Sequence, residues 1–234
     1  MTLARALTGG IIAAGEGSRL RRDGWTMAKP LVPVAGVPLI ACVIGNFLAA
    51  GITSLRIIVN DDERHCVDWV RSRFPGLDVE FVVKTTSSSL QSFLEIAAGV
   101  ADPLLVSTVD AWCAEADFVR FVEGARRRPP DATVLAVTPL VADENPLWVS
   151  LDAAGRVIAL GGDGGDVVTA GMYLVSSRVR HTLPPPGLGR LREYLAWLWR
   201  SGEPLYGEVV ENVVDVDRAE DVALAEALAL SRRS

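Results

Sequence analysis

Short apolar blocks with two different periods alternate along this chain. Residues 9–15 (GGIIAAG), 55–61 (LRIIVND), 79–84 (VEFVVK) and 103–110 (PLLVSTVD) are brief apolar runs bounded by Gly, Pro or charged residues, the pattern of buried strands. Between them, residues 38–51, 62–74 and 88–100 carry apolar side chains at helical spacing. Gly51 closes the first of these helices, an acidic start and Pro75-Gly76 frame the second, and serines are available to cap the third. Strands alternating with helices of this length predict a parallel, doubly wound sheet covered on both faces, with right-handed crossovers.

The second half is less regular. Residues 132–140 and 168–177 read as strands, 147–160 as a hairpin turning at 152–155, and 161–165 (GGDGG) as a loop. Residues 188–202 read as a helix whose Leu191, Tyr194, Leu195 and Leu198 form a core stripe. Residues 205–217 form a strand pair or one bent strand, and 218–233 a helix rich in Ala and Leu. The PPPG run at 184–187 is a stiff turn, and no linker, internal repeat or low-complexity tract divides the chain.

Composition narrows the picture. A chain of 234 residues, 50% hydrophobic, buries one sizeable core. A net charge of −6 and a pI near 5.0 argue against a nucleic-acid surface, while leaving room for a local basic pocket. Cys42, Cys66 and Cys113 have no metal-ligand spacing and read as reduced thiols. No apolar run reaches the ~20 residues of a membrane span, and residues 1–7 are too short for a signal peptide. The expectation is a cytoplasmic protein with no membrane or nucleic-acid partner.

The candidate chemistry lies in residues 11–40, IIAAGEGSRLRRDGWTMAKPLVPVAGVPLI. A strand ending in Gly15 and Gly17 opens its carboxyl end to ligand, lets the backbone approach an anion, and leads into a helix start that favours negative charge. A plain strand-to-helix turn would look the same. Leu20 stands where a dinucleotide fingerprint needs its third Gly, and no G-x-x-x-x-G-K-S/T run exists. Arg19 and Lys29 remain, a forked cation and a compact one able to neutralise phosphates together. Asp110 ends a strand on the ligand side of such a sheet; it is a metal ligand or the cap of a following helix.

IAAGEGSRL (12–20) and AKPLVPVAGVPLI (28–40) resemble the two-part signature LAAGxGxRL…PKPLxPVxGxPLI of the nucleotidyltransferases that make nucleoside-diphosphate sugars and related activated alcohols. The resemblance implies an α/β, Rossmann-like three-layer αβα sandwich, mostly parallel, with added antiparallel strands or a hairpin in the second half. It implies one domain over 1–234, with a nucleotide-binding part at about 8–130, an acceptor-side part at about 131–217 and a last helix at about 218–233. Ala13, Ala14, Gly15, Gly17 and Ser18 would hold the nucleotide, Arg19 the leaving pyrophosphate, and Lys29 the α-phosphate and acceptor phosphate. Ala28 departs from the family's Pro, and Val109 stands where Gly often precedes the aspartate. NVVDVDRAED (212–221) resembles the family's late metal segment, so Asp110 and Asp215 would hold Mg2+. Asp217, two residues on, shares that face if the strand stays extended, or caps the last helix with Glu220 as its capping-box partner; the cap is the favoured role.

Two departures concern specificity. Lys84 stands where many members have Gln, and Ser88 and Ser89 stand near the usual Gly, so Lys84 and Ser89 are the base-side candidates and the base stays unnamed. On the acceptor side, TAGMYLVS (169–176) resembles the family's N-A-G-I-Y strand, which makes Thr169, Gly171 and Tyr173 candidate acceptor contacts. The usual lysine after the hairpin is missing, which suggests a smaller or cationic alcohol phosphate; Trp148 and Asp163 are further candidates there. The expected activity is transfer of an NMP from an NTP to a sugar 1-phosphate or related alcohol phosphate, with release of pyrophosphate. The competing reading is a catalytically silent nucleotide-binding or regulatory module. Trp197 and Trp199 could form a homodimer face or belong to the core.

Overall fold

The computed structural model describes residues 6–101, 103–141 and 145–231. Most of the 1–7 stretch read as too short for a signal peptide (residues 1–5) and the last two residues of the expected helix at 218–233 lie outside them. The first half runs β1 (Thr8–Ala13), α1 (Ser18–Arg22), a 3-10 turn (Lys29–Leu31), β2 (Pro33–Val34), β3 (Val37–Pro38), α2 (Leu39–Ala49), β4 (Ser54–Val59), α3 (His65–Arg73), β5 (Asp78–Val83), α4 (Ser89–Ala97), β6 (Leu104–Thr108), β7 (Ala111–Cys113) and α5 (Glu115–Arg127). The second half runs β8 (Thr133–Thr138), β9 (Trp148–Leu151), β10 (Val157–Leu160), β11 (Val167–Val175), α6 (Ser177–His181), α7 (Leu191–Arg200), β12 (Leu205–Val209), β13 (Val213–Asp215) and α8 (Ala219–Ser231).

The strands predicted in the first half are all present. They form the parallel block β6-β1-β4-β5, with β1 central and bonded to β4 and β6. Alternation along β1 sends Ile11 and Ala13 to one face and Ile12 and Ala14 to the other. Two separate apolar clusters result, one against α2, α3, α5 and α8, the other against α4, α6 and α7, which gives the three layers. No element was assigned to residues 111–131, yet β7 and α5 lie there. Phe118, Phe121, Val122 and Ala125 in α5 have helical spacing and are buried. The strand pair expected at 205–217 is two strands in different sheets, β12 beside β8 and β13 beside β7.

β11 shapes the second half. Its last residues, Met172–Val175, pair antiparallel with β6, while Val167 and Val168 pair with β9. Between these partners the register against β8 shifts from Thr169 to Tyr173. Gly171 sits in that gap with φ 71°, and a Cβ there would lie 2.7 Å from Thr108 Oγ1 and 2.8 Å from the Ala111 Cβ. Glycine is required by both conformation and space. The split between β6 and β9 opens a cleft at the carboxyl end of the central strands, where open α/β sheets bind ligand.

The β2–β3 hairpin turns through Ala35 (φ 48°) and Gly36 (φ 81°), a two-residue turn whose hand matches strand twist. The Ala35 N–H donates to Glu226 Oε1 of α8 at 3.1 Å, which pins the hairpin to that helix. Among the described residues no helix is long and apolar enough to cross a membrane.

Candidate active site

The chain leaves β1 at Ala13 and passes through Ala14 and Gly15 to Gly17, which takes φ 63° and opens α1 at Ser18. A Cβ on Gly17 would lie 2.9 Å from the Lys29 Cβ. The two halves of the conspicuous N-terminal motif are therefore in contact, and glycine is what lets the loop lie against the lysine. The 3-10 turn with Pro30 at its second position then directs Lys29 inward, where only 6% of its side chain is exposed.

Lys29 Nζ donates to Asp110 Oδ2 and to Asp217 Oδ1, each at 2.5 Å, and Arg19 Nη1 donates to Asp217 Oδ2 at 2.5 Å. The carboxylates of Asp110, Asp215 and Asp217 converge, with oxygens within 4.8 Å of one another. The small β7–β13 ladder brings these distant residues together. Asp215 pairs with Ala111, and Val216 N–H donates to the Asp110 carbonyl at 3.0 Å, which sets Asp110 opposite the 215–217 segment. Asp215 and Asp217 stand two residues apart, and both carboxylates converge with that of Asp110.

The expected helix-capping role of Asp217 is corrected by this geometry. Its carboxylate accepts from Lys29 and Arg19, whereas Asp221 Oδ2 accepts from Asp217 N–H (3.0 Å) and Arg218 N–H (2.7 Å) at the start of α8. Asp221, not Glu220, is the residue that reaches back. A motif reading misplaced the cap by one position because α8 begins at Ala219. Asp110, likewise, is paired with Lys29.

Electrostatics here are set by mutual pairing. Burial pulls the Lys29 ammonium down, but Asp110, Asp217 and Asp215 outweigh it and hold its pKa above the ordinary lysine range. Burial pushes Asp110 up, while Lys29 and a hydrogen bond from Thr108 bring it below the usual carboxylate value. Three convergent carboxylates suit a hard divalent cation, and the Lys29 ammonium now answers their charge.

This cluster borders a cavity of about 250 Å³ in the β6/β9 cleft. Its lining includes Asp110, Asp215 and Asp217 together with Thr169, Gly171 and Tyr173, so the metal-side and acceptor-side candidates meet in one space. Burial pushes the Tyr173 hydroxyl up to about 12, so it stays protonated and able to donate. Ser89, expected on the nucleotide side, lines the same cavity; its Oγ accepts the Leu191 N–H at 3.1 Å. Lys84 is not in the lining and pairs with Glu95 at 2.5 Å. Trp148 and Asp163 are also outside the lining. Trp197 stacks on Tyr194 (5.8 Å) and Trp199 Nε1 donates to the Val157 carbonyl, so both belong to packing within the chain.

One charged lining residue escaped the sequence reading. Arg192, on the first turn of α7, lies on the cavity wall formed with Leu191 and Ser89. It sits off the apolar stripe of its helix and far from the acceptor hairpin, where a basic residue was sought and not found. Its available signal was a cation in a helix's first turn, where the dipole disfavours one.

Comparison with known proteins gives the family and the fold. The family profile described as MobA-like NTP transferase domain matches residues 9–175. The chain is 28% identical over 160 residues to the CMP-5'-(3-aminopropyl)phosphonate synthase of Streptomyces rubellomurinus, covering 66% of this chain and 23% of that protein. It is 28% identical to the glucose-1-phosphate thymidylyltransferase of Streptomyces griseus, covering 86% of this chain and 60% of that one. The chain thus spans less than two thirds of the length of either relative. Its fold matches the inositol-1-phosphate CTP transferase from T. maritima with a TM-score of 0.81 over 96% of both chains, at 16% identity.

Proposed function

The chain belongs to the family of MobA-like NTP transferase domains, and on that premise we propose that it transfers a nucleoside monophosphate from an NTP to a small acceptor bearing a phosphate or phosphonate. The observation that carries this reading is the convergence of Asp110, Asp215 and Asp217 on one cavity, with Lys29, packed against Gly17 of the β1–α1 loop, bonded to two of them. A cytidine nucleotide is the first candidate, because two of the similar proteins are named for CMP or CTP and one of these acts on a phosphonate by its name. A thymidine nucleotide follows from the other relative.

Asp110, Asp215 and Asp217 are the residues that would hold Mg2+, which when bound supplies positive charge to the phosphates. The backbone of Ala14–Gly17 and the start of α1 receive the nucleotide phosphates. An acceptor oxygen, already ionised, attacks the α-phosphorus; the bond from that phosphorus to the β-bridging oxygen breaks, and pyrophosphate leaves with the electron pair. No protein nucleophile and no general base are needed. Lys29, released from Asp110 and Asp217 once other positive charge serves them, neutralises charge at the reacting phosphates. Arg19 turns its fork from Asp217 to the departing pyrophosphate. The intact cluster counts against a catalytically silent module.

The test is pyrophosphate release in the presence of Mg2+, over four NTPs against a panel of sugar phosphates, alcohol phosphates and alkylphosphonates, with Lys29→Ala as the control. Release from one pair and its loss in the variant are expected. No release from any pair, with NTP binding intact by calorimetry, would transfer the reading to the silent module.

A further inference from the structure

The cavity has two unlike walls. On one, β7 and β13 present three carboxylates. On the other, the N-terminal turns of α4 and α7 meet, tied by the Leu191 N–H to Ser89 Oγ bond at 3.1 Å. These walls arise from opposite faces of the sheet, since Ala111 and Val213 belong to one apolar cluster and Leu90 and Leu191 to the other. Each helix start carries a partial positive charge. Arg192 adds a full charge to that wall, and it is the cation among the described residues lining the cavity. Its Nη1 donates to the Asn145 carbonyl in the segment before β9, which anchors the side chain across to the opposite strand connection.

Arg192 is an electrostatic misfit in its own helix. A cation in the first turn opposes the helix dipole. The carboxylate of the same turn, Glu193, points backward to cap the Gly189 and Arg190 N–H groups at 2.9 and 3.0 Å, leaving Arg192 on the cavity side. An anion lodged beside the guanidinium turns this misfit into an attraction.

We propose that Arg192, on the wall where α4 and α7 meet, grips the anionic head of the acceptor, so that a phosphate monoester or phosphonate binds between this wall and the three aspartates. The inference rests on the transfer reaction proposed above and deepens it. It supplies from α7 the acceptor-side cation that the hairpin lacks. The guanidinium fork suits two oxygens of one tetrahedral head, leaving the third to attack. Tyr173 and Thr169, on the same cavity, are placed to contact the rest of the acceptor.

Binding is measured first, because it needs no turnover. Methylphosphonate is titrated by phosphorus NMR into protein loaded with Mg2+ and a non-hydrolysable NTP analogue, for wild type, Arg192→Gln and Arg192→Lys. A charge-assisted bidentate contact predicts a loss of roughly 10- to 100-fold in Arg192→Gln and an intermediate loss in Arg192→Lys, with NTP-analogue affinity unchanged. Equal affinity in wild type and Arg192→Gln, or no binding in wild type, overturns the proposal. Should Arg192→Gln not fold, equal affinity in Arg192→Lys overturns it. Turnover separates the two readings. Clamp-dependent binding without pyrophosphate release under any NTP sinks the reaction and leaves the clamp; turnover with an unmoved acceptor KM in Arg192→Gln sinks the clamp and leaves the reaction.

Discussion

The loop proposed for phosphate and the wall proposed for the acceptor lie at the same end of one sheet, but they are encoded in opposite ways. The loop is contiguous: Gly17, Arg19 and Lys29 fall within thirteen residues, and the chemistry is visible as a motif. The cavity wall is dispersed over α4, β11, α7 and β13; α4, α7 and β13 contribute one or two residues each and β11 five, and each looks ordinary where it stands. A contiguous site is set by local backbone conformation. A dispersed one exists only through strand register and helix packing.

Lys29→Met tests the contiguous region and should have the largest effect. It removes the ammonium from two carboxylates, and turnover should fall about 100- to 1,000-fold. Breaking a buried ion pair costs roughly 3–5 kcal/mol; the aspartates keep about a quarter of their exposure, so the lower end, about 3 kcal/mol, is expected in denaturant titration. Millimolar Mn2+ should restore part of this loss, read as a rise in melting temperature. A variant as stable as wild type would show that the pairing contributes nothing net.

The pH dependence of that difference comes next. Asp110 has its pKa depressed, so its contribution is present above the ordinary value of 3.8 and is lost as pH falls further, through the folded value. Lys29 has its pKa raised, so its contribution is complete below 10.5 and is lost only as pH rises beyond that. The melting-temperature gap between wild type and Lys29→Met should be flat from about pH 5 to 9 and shrink below about pH 4. A gap that persists undiminished at pH 3 would refute this coupling.

Two glycine substitutions then divide the regions. Gly171→Ala forces a side chain onto φ 71° against Thr108 and Ala111, and should cost about 2 kcal/mol while abolishing acceptor binding and sparing nucleotide binding. Gly17→Ala meets the Lys29 Cβ at φ 63° and should cost a similar amount while weakening nucleotide binding first. Calorimetry with each ligand separately reads the split; the same ligand profile in both variants would erase the distinction between the regions. The smallest effect should come from Ala35→Asn. Asn tolerates the left-handed conformation Ala35 holds at φ 48°, so the variant should gain about 0.5 kcal/mol with activity unchanged.

The parallel block was legible because Ile11, Ile57 and Val106 stand in short runs whose flanks carry turn residues, and local pattern suffices there. Asp110 and Asp215 were legible through resemblance and sheet polarity. Asp217 was read as the favoured cap because a capping box and a strand face both fit its spacing, and only the start of α8 at Ala219 decides between them. Arg192 was not legible because its place depends on α7 docking against α4, a packing event that no periodicity within 188–202 reports. The same argument covers Lys84, whose position after β5 looks ligand-facing until Glu95 engages it.

The register of the β7–β13 ladder has a consequence for how the protein comes into being. Lys29 and Asp217 are 188 residues apart in sequence. At roughly 5–20 residues per second, the lysine leaves the ribosome about 10–40 seconds before its partner exists. Until then its ammonium has no complete set of counter-charges and stays in water, and the loop it anchors stays open. The central sheet gathers early, from nearby strands; the Lys29–aspartate cluster is the last thing to close, and an arrested chain that stops short of β13 lacks Asp215 and Asp217.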